Sequence, residues 1–410
     1  MPLSRRDLLR TLALAGAGGA LLPSFLQRAL AQAGPARRAL VTVFLRGGAD
    51  GLSLVPPVGD AAYHRARPSL ALPERGEGAA LRLDGVFGLH PGLAPLMPLW
   101  GEGRLALVHG VGLPVPVRSH FDAQDFVESG TPGRKATPDG WMNRALALAP
   151  APGGSPLRAV ALQPTLPRAL LGEVDALALA DLEGFRVRAG ARSEQAGAGF
   201  AALYAGAVDA ALRSTGADAA RALQSLGASA FAERPPEHGA EYPRSALGRR
   251  LQDVARLLRA DVGLEVAATE MTGWDTHVQQ GGAQGAFARR CEELAGALAA
   301  FAQDLGPLLE RVVVVVLTEF GRTVRENGSH GTDHGFGSAM LALGGGVRGG
   351  RVHGRFEPLE EARLQDGRDV PAWTDHRTVL GEALAASRPG VDLARVFPGF
   401  TPAAPLGLWG

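Results

Sequence analysis

The sequence predicts an α/β fold with a mostly parallel central sheet. Several short apolar runs are continuous rather than alternating, which is typical of strands covered on both faces. Helical runs lie between several of them, and this alternation is typical of parallel sheets with right-handed crossovers. The chain has 410 residues, of which 46% are hydrophobic, and this is ample for one large core. The predicted strands cover residues 39–45, 105–109, 262–267, 312–317 and 339–343.

The clearest helical runs cover residues 247–260 and 284–309. The stretch 150–245 is rich in Ala, Gly and Leu, and we expect it to form a helical insertion with two or three helices and an edge strand. No linker and no internal repeat interrupt the chain. We therefore expect residues 32–410 to form a single large domain rather than two small ones.

Residues 1–31 have the composition of an export signal. Arg5 and Arg6 open the segment, residues 11–22 are apolar, and a small-x-small cleavage site ends at Ala31. The paired arginines resemble the twin-arginine signal, and about 12 apolar residues are too few to span a bilayer, which takes ~20. We expect export by the twin-arginine machinery to the periplasm or the medium, with no stable membrane span after processing.

Charge and cysteine content exclude further classes of protein. The formal net charge of the whole chain is +1. The predicted signal contributes +3, so the net charge of the mature chain is near −2. This balance argues against a nucleic-acid binder that depends on phosphate neutralisation. Cys291 is the only cysteine, and it lies in a helical run, where we expect a small buried residue. An intramolecular disulfide and a cysteine-rich metal site are both excluded.

Polar side chains follow the predicted strands at the points where the strands end. Each has an ordinary explanation when taken singly: a turn, a helix cap, a hydrogen-bonded histidine or a surface ion pair. Taken together, they would meet in one crevice, because the carboxyl ends of parallel strands share an edge of the sheet. Carboxylates packed there without a cation would repel one another, and Asp, Glu and His suit Zn, Mn, Fe, Mg or Ca. The residues are Asp50, Ser119, His120, Asp275, His277, Glu319, Arg322, Asp333 and His334.

A combination of motifs resembles an exported bacterial family called domain of unknown function 1501. Besides the twin-arginine start, the motifs are FLRGGADGL (44–52), LHPGLAPL (89–96), SHFDAQDFVESG (119–130), TGWDTH (272–277), LTEFGRT (317–323) and the segment 331–350. The resemblance runs over essentially the whole mature chain. That family is similar to the alkaline phosphatase and sulfatase superfamily. The resemblance therefore implies an alkaline-phosphatase-like α/β/α sandwich that binds one or two divalent ions (Zn, Mn, Mg or Ca).

The resemblance also implies roles for individual residues. Ser119 is expected to be the nucleophile, with Arg322, Arg46 or Arg118 stabilising the developing charge. Glu319 or His120 is expected to act as a base or an orienting group. Phe320 stands where the superfamily has a ligating histidine. By analogy, the candidate metal ligands divide into Asp275, His277 and His334 for one ion and Asp50, Glu319 and Ser119 for a second, with Asp333 as a further candidate beside His334.

Two functions follow as expectations. The first is an exported metal-dependent hydrolase of phosphate or sulfate esters that acts on a small-molecule ester through a serine nucleophile. The alternative is a non-catalytic, metal-containing binding protein on the same fold, with a cell-envelope ligand, and Phe320 in a ligand position favours it. The surroundings of Ser119 distinguish the two: an open pocket and metal ligands beside the hydroxyl favour the hydrolase, and a solvent-facing hydroxyl favours the binding protein.

Overall fold

The computed structural model describes residues 38–149, 155–182 and 234–410. The predicted export signal and most of the predicted insertion over 150–245 lie outside these residues. The described residues belong to one compact unit. Among them, no helix is long and apolar enough to cross a bilayer.

A large mixed sheet runs through the centre of this unit. Within the described residues it has nine strands in the order β10-β4-β9-β8-β1-β7-β5-β6, with β11 beside β4, while β2 and β3 form a separate hairpin. The α/β class with a mostly parallel sheet is confirmed. The strands are β1 (Ala39–Leu45), β2 (Leu81–Arg82), β3 (Gly88–Leu89), β4 (Leu105–Gly112), β5 (Ala159–Ala161), β6 (Leu177–Ala178), β7 (Val266–Met271), β8 (Val312–Thr318), β9 (Ser338–Gly344), β10 (Val352–His353) and β11 (Thr374–Asp375).

Strand β9 is the exception to parallel pairing. It runs antiparallel to both of its neighbours, β4 and β8, whereas the other described pairs of the main sheet are parallel. The connection from β8 to β9 over residues 319–337 contains no helix, so the chain returns beside β8 instead of crossing over. This connection therefore begins and ends at the carboxyl edge of the parallel strands.

The predicted bounds agree with the structure for most of the long strands and differ for one. β1 has the predicted bounds, and β4, β8 and β9 extend the predicted runs by a few residues at their ends. The third strand was predicted over 262–267, but β7 starts at Val266. The reason is a turn before it, where Asp261 and Gly263 have φ of 49° and 81°, values that do not occur in a strand.

Helices cover both faces of the sheet. Val41 and Leu45 of β1 pack into the same core cluster as Phe287, while Leu40 packs on the opposite face in the cluster that contains Phe126. Alternate side chains of a buried strand thus serve two cores. The helices are α1 (Gly51–Leu54), α2 (Ala61–Ala66), α3 (Met97–Gly101), α4 (His120–Ser129), α5 (Trp141–Ala147), α6 (Ala246–Arg259), α7 (Ala286–Leu305), α8 (His376–Ser387) and α9 (Leu393–Val396).

Two of these helices confirm sequence predictions. α6 lies within one residue of the predicted run 247–260, and α7 occupies most of the run 284–309, whose last residues form a 3₁₀ turn over Gly306–Arg311. Cys291 lies on α7 and is fully buried among apolar side chains, as expected for a small core residue.

Candidate metal centre

Four side chains meet at the carboxyl edge of the sheet. His120 is the first residue of α4, which follows β4, and its position at the helix start turns the ring toward the end of β8. Asp275 and His277 lie in the loop that follows β7, and His334 lies in the connection from β8 to β9. The strand ends therefore bring together residues that are far apart in the sequence, as the sheet geometry predicts.

The atoms that face one another are the Nε2 atoms of three imidazoles and the carboxylate of Asp275. His277 Nε2 lies 2.9 Å from His334 Nε2 and 3.1 Å from Asp275 Oδ1. His334 Nε2 is 3.4 Å from Asp275 Oδ1, and His120 Nε2 is 3.6 Å from Asp275 Oδ2. One ligand atom each of His120, Asp275 and His334 lie within 4.8 Å of one another, so these three residues can hold one ion, and His277 borders the same point.

Hydrogen bonds to the far nitrogen fix the orientation of each ring. An oxygen that carries no hydrogen lies beside each Nδ1, so each ring can donate from Nδ1, and a neutral ring then keeps the lone pair of Nε2 for the centre of the cluster. This is the arrangement that supports histidine ligands in metal sites. The acceptors are Glu319 Oε1 for His120 (2.8 Å), Asp333 Oδ1 for His277 (3.1 Å) and the carbonyl oxygen of Arg118 for His334 (2.7 Å).

The cluster favours a cation when its imidazoles are neutral. With each ring donating from Nδ1, the lone pairs of His277 Nε2 and His334 Nε2 face each other at 2.9 Å, and His120 Nε2 is shielded from solvent without a hydrogen-bond partner in the described chain. Ligands about 2.05 Å from one ion are about 2.9 to 3.4 Å apart at octahedral or tetrahedral angles. The spacing of His277 Nε2, His334 Nε2 and Asp275 Oδ1 therefore fits a single divalent ion, and His120 Nε2 lies slightly farther out, at 3.6 Å from Asp275 Oδ2. The number of imidazoles favours Zn²⁺ or Fe²⁺.

Arg322 keeps Asp275 charged. Burial alone would raise the pKa of Asp275, but the hydrogen bond from Arg322 Nη2 (2.5 Å) and the charge of Arg322 outweigh burial and lower the pKa below its usual range, and protonation of His277 or His120 lowers it further. The pKa of His334 is also lowered, mainly by burial, which keeps its ring neutral. A charged carboxylate and a neutral imidazole are the forms that bind a metal ion.

Arg322, predicted as catalytic, lies behind the cluster. It is 1% exposed, and its guanidinium donates to the carbonyl oxygens of Gly48 (2.6 Å), Thr332 (3.0 Å) and Trp274 (3.2 Å), and to that of Gly47. These bonds tie the loops after β1, β7 and β8 together. The structure thus supports a positioning role for Arg322, because no face of the guanidinium is open to a substrate.

Glu319, predicted as a metal ligand, also takes a supporting place. It is fully buried, and its Oε1 accepts hydrogen bonds from Gly47 N (2.9 Å), Gln124 Nε2 (2.9 Å) and His120 Nδ1. These donors lower the pKa of Glu319 against the raising effect of burial, and Glu319 in turn raises the pKa of His120. Glu319 therefore orients the imidazole of a candidate ligand and uses its Oε1 for that bond.

Asp50 does not face the cluster. It is fully buried, and its carboxylate binds Arg67 (2.5 Å), Ser53 Oγ (2.7 Å) and Gln280 Nε2 (2.7 Å). Burial raises the pKa of Asp50, but Arg67 and the hydrogen bonds lower it further, so the residue is a charged partner in the core. The structure therefore gives no support to a second metal site at Asp50, Glu319 and Ser119.

Ser119 is the N-cap of α4 and is exposed. Its Oγ accepts a hydrogen bond from Asp122 N at 3.4 Å, which is the ordinary role of serine at a helix start. Phe320, in turn, packs its ring 4.8 Å from the ring of His120 and 4.9 Å from that of His334. Phe320 forms an apolar wall beneath two candidate ligands, where a second ion would need a polar group.

The sequence therefore identified Asp275, His277 and His334 in one place. Asp333, predicted as a further metal ligand beside His334, instead lies behind His277 and accepts from its Nδ1. The sequence assigned His120 to a base or orienting role, whereas the geometry makes it a candidate ligand. The signal was present in the motif SHFDAQDF, where a histidine begins a helix directly after a strand-end loop. What the motif does not show is that Glu319 binds Nδ1 and so leaves Nε2 free.

The comparisons with known proteins bear on the same residues. A search of curated proteins finds no match. The chain matches a family described as "Protein of unknown function (DUF1501)" over residues 100–384, which include all the candidate ligands of the cluster but not Asp50. The match spans more than half of the chain, and the protein is therefore a member of the DUF1501 family.

Proposed function

We propose that the protein is an exported metal-dependent hydrolase of phosphate or sulfate esters with a single divalent ion. The observation that carries the proposal is the convergence of three Nε2 atoms on the carboxylate of Asp275, with each ring held by its own Nδ1 acceptor. His120, Asp275, His277 and His334 would hold the ion. A bound divalent ion supplies Lewis acidity toward an ester oxygen and lowers the pKa of a bound water.

The chain supplies orientation and charge around that point. Two of the candidate arginines are already bonded within the protein. Arg322 donates to loop carbonyls, and Arg46 pairs with Glu128 (2.8 Å) and Glu270 (2.5 Å). The side chain of Arg118 is 38% exposed and stands at the rim, where Asp369 (2.6 Å) holds it and raises its pKa. We propose that Arg118 contacts the anionic group of the ester.

Within the described part of the chain, Ser119 lacks the basic partner that activates a serine nucleophile. Ser119 Oγ is exposed, and the hydrogen bond that the structure gives it comes from a backbone amide rather than to a base. Water activated at the ion is an alternative nucleophile that needs no change in the cluster. Replacement of Ser119 by Ala separates the two mechanisms, because turnover disappears only if serine is the nucleophile.

The second candidate function is a non-catalytic, metal-containing binding protein with a cell-envelope ligand. The exposed hydroxyl of Ser119 and the apolar wall of Phe320 favour it, because neither group serves phosphoryl or sulfuryl transfer. In this case the ion organises the loops, and the protein binds a ligand without turning it over.

Metal analysis and turnover assays test both candidates. The purified protein is expected to contain about one divalent ion per chain, and the Asp275→Ala and His334→Ala variants to lose it. His64→Ala is the matched control, since His64 binds the carbonyl of Val58 away from the cluster. Turnover of 4-nitrophenyl phosphate, bis(4-nitrophenyl) phosphate or 4-nitrophenyl sulfate that requires the ion supports the hydrolase. Stoichiometric metal without turnover supports the binding protein, and an absence of metal in the wild type contradicts both.

The export route and the superfamily are parts of the same proposal. Arg5 and Arg6, the apolar run and the cleavage site support the twin-arginine pathway, and a metal site at the carboxyl edge of an α/β sheet supports a relation to alkaline phosphatases and sulfatases. Cell fractionation of the wild type and of a double Arg5→Lys, Arg6→Lys variant tests the route. We expect the wild type in the periplasm or medium and the variant retained in the cytoplasm.

A further inference from the structure

A cleft of about 400 Å³ opens beside the metal centre. Its walls come from α2, from the segment 323–327 and from the loop 359–368. The volume is in the range of small-molecule sites, which is about 300 to 1,000 Å³. None of the four candidate ligands lines the cleft, so it is a separate feature from the metal centre.

One wall of the cleft is made by residues that orient the ligands. Asp333 lines the cleft and accepts from His277 Nδ1, and Asn327 Nδ2 donates to the same carboxylate oxygen at 3.1 Å. Arg368, also in the wall, donates to the carbonyl oxygen of His334 at 2.8 Å. A molecule in the cleft would therefore touch side chains that contact the candidate metal ligands.

The charged side chains of the cleft wall differ in whether they have a partner within the protein. Glu326 accepts from Ser69 N (3.0 Å) and Leu70 N (3.0 Å), and Asp333 is held by His277 and Asn327. Arg65, in the last turn of α2, is exposed and has no hydrogen bond or ion pair to another described residue. Two further carboxylates of the wall, Glu360 and Glu361, are exposed and pair with Arg363 (3.7 Å) and Arg325 (3.8 Å). Each described carboxylate of the wall therefore has a donor or a cationic partner within the protein, while Arg65 remains to bind an anion from outside.

We propose that this cleft binds the part of the substrate beyond the reacting ester, and that this part carries a second negative charge, such as a carboxylate. Arg65 pairs with that charge, and Arg368, which lines the cleft and contacts the backbone of His334, adds positive potential. The proposal rests on the proposed function, since it names the substrate class of the same site. It predicts a preference for bifunctional anions over simple monoesters.

Calorimetric titration with two non-hydrolysable probes tests the proposal without requiring turnover. The probes are phenylphosphonate and 4-carboxyphenylphosphonate, added to the metal-loaded protein. The wild type is expected to bind the carboxylated probe more tightly, and Arg65→Ala to weaken that probe alone by roughly threefold, the effect of a partly exposed ion pair. Arg249→Ala is the control, because Arg249 is an exposed helical arginine that does not line the cleft.

The outcomes separate this proposal from the function on which it rests. Equal affinity of the wild type for the two probes, or an equal response of the Arg65 and Arg249 variants, overturns the cleft assignment. A preference for the carboxylated probe that Arg65→Ala removes supports the assignment even if no ester is turned over. In that case the hydrolase fails and the substrate site becomes the ligand site of a binding protein.

Discussion

Replacement of Glu319 by Gln tests whether the buried carboxylate positions a metal ligand. Gln has nearly the same shape, and its carbonyl oxygen can keep the hydrogen bonds from Gly47 N, Gln124 Nε2 and His120 Nδ1. Its amide group then faces Thr318 Oγ1, which can donate to the carbonyl oxygen of Leu45 (2.7 Å) and so accept from the amide. The fold is therefore expected to survive, and the loss is the negative charge behind His120.

The expected loss of metal affinity follows from the weakening of the hydrogen bond between Glu319 and His120 Nδ1. A hydrogen bond to a charged group contributes about 1.5 to 3 kcal/mol and a neutral one about 0.5 to 1.5 kcal/mol, so the change is about 1 to 1.5 kcal/mol. This corresponds to about tenfold in the dissociation constant, at the lower end of the ~10- to 100-fold effects of such partners in metal sites. We expect the Glu319→Gln variant to bind Zn²⁺ or Mn²⁺ about tenfold more weakly.

Competition with a chromophoric chelator measures this change, and thermal unfolding in EDTA measures the stability of the metal-free chain. Glu265→Gln is the control, because Glu265 is also largely buried and binds Arg158 (2.6 Å) and Arg388 (2.7 Å), but it precedes β7 at the opposite end of that strand. The control is expected to lose stability and keep its metal affinity. An affinity of the Glu319 variant within twofold of the wild type refutes the positioning role.

Three further changes have distinct expected outcomes. Ser119→Ala removes the cap bond to Asp122 N and is expected to lower the free energy of unfolding in urea by about 1 kcal/mol. Metal affinity and ester turnover are expected to persist. A complete loss of turnover would show that Ser119 is the nucleophile. Asp50→Asn leaves the charge of Arg67 buried without its partner and costs about 3 to 5 kcal/mol in urea unfolding, whereas a small cost contradicts the role of this pair in the core. Burial lowers the pKa of His109 to about 4 from an ordinary 6.5, so the unfolded chain takes up a proton first and stability falls as pH drops from about 6.5 to about 4. The metal-free His109→Leu variant is expected to lose about 3 kcal/mol less than the wild type across that window, and equal pH dependence of the two proteins contradicts this reasoning.

The sequence predicts the sheet well because its strands are buried on both faces. The runs in β1 and β8 are apolar at every position except one threonine each, so they fit the interior of a layered fold. The sequence did not predict that β9 is antiparallel, because an apolar run does not show the direction in which its strand runs. The direction is set by the absence of a helix between β8 and β9, in a connection whose polar residues belong to the metal centre.

The sequence predicted where the site lies better than it predicted what each residue of the site does. The rule that parallel strand ends share an edge brings Asp275 and His277 to the edge where β8 ends, without any knowledge of side-chain contacts. His334 reaches the same edge because β9 is antiparallel and therefore begins there. The roles of Asp50 and Glu319 depend on partners far along the chain, Arg67 for one and His120 for the other. A carboxylate in a strand-end loop is equally suited to bind a metal ion, an arginine or an imidazole, and packing decides among them.

The ligand geometry has a consequence for how the protein unfolds. His120, Asp275 and His334 come from three separate loops, so an ion held among them joins distant parts of the chain as a cross-link does. Such an ion binds only the folded chain, and at 100 times its dissociation constant it adds about 2.7 kcal/mol to the free energy of unfolding. The melting temperature would then depend on the concentration of free metal. A chelator would make the loops at this edge of the sheet the first to open to proteases.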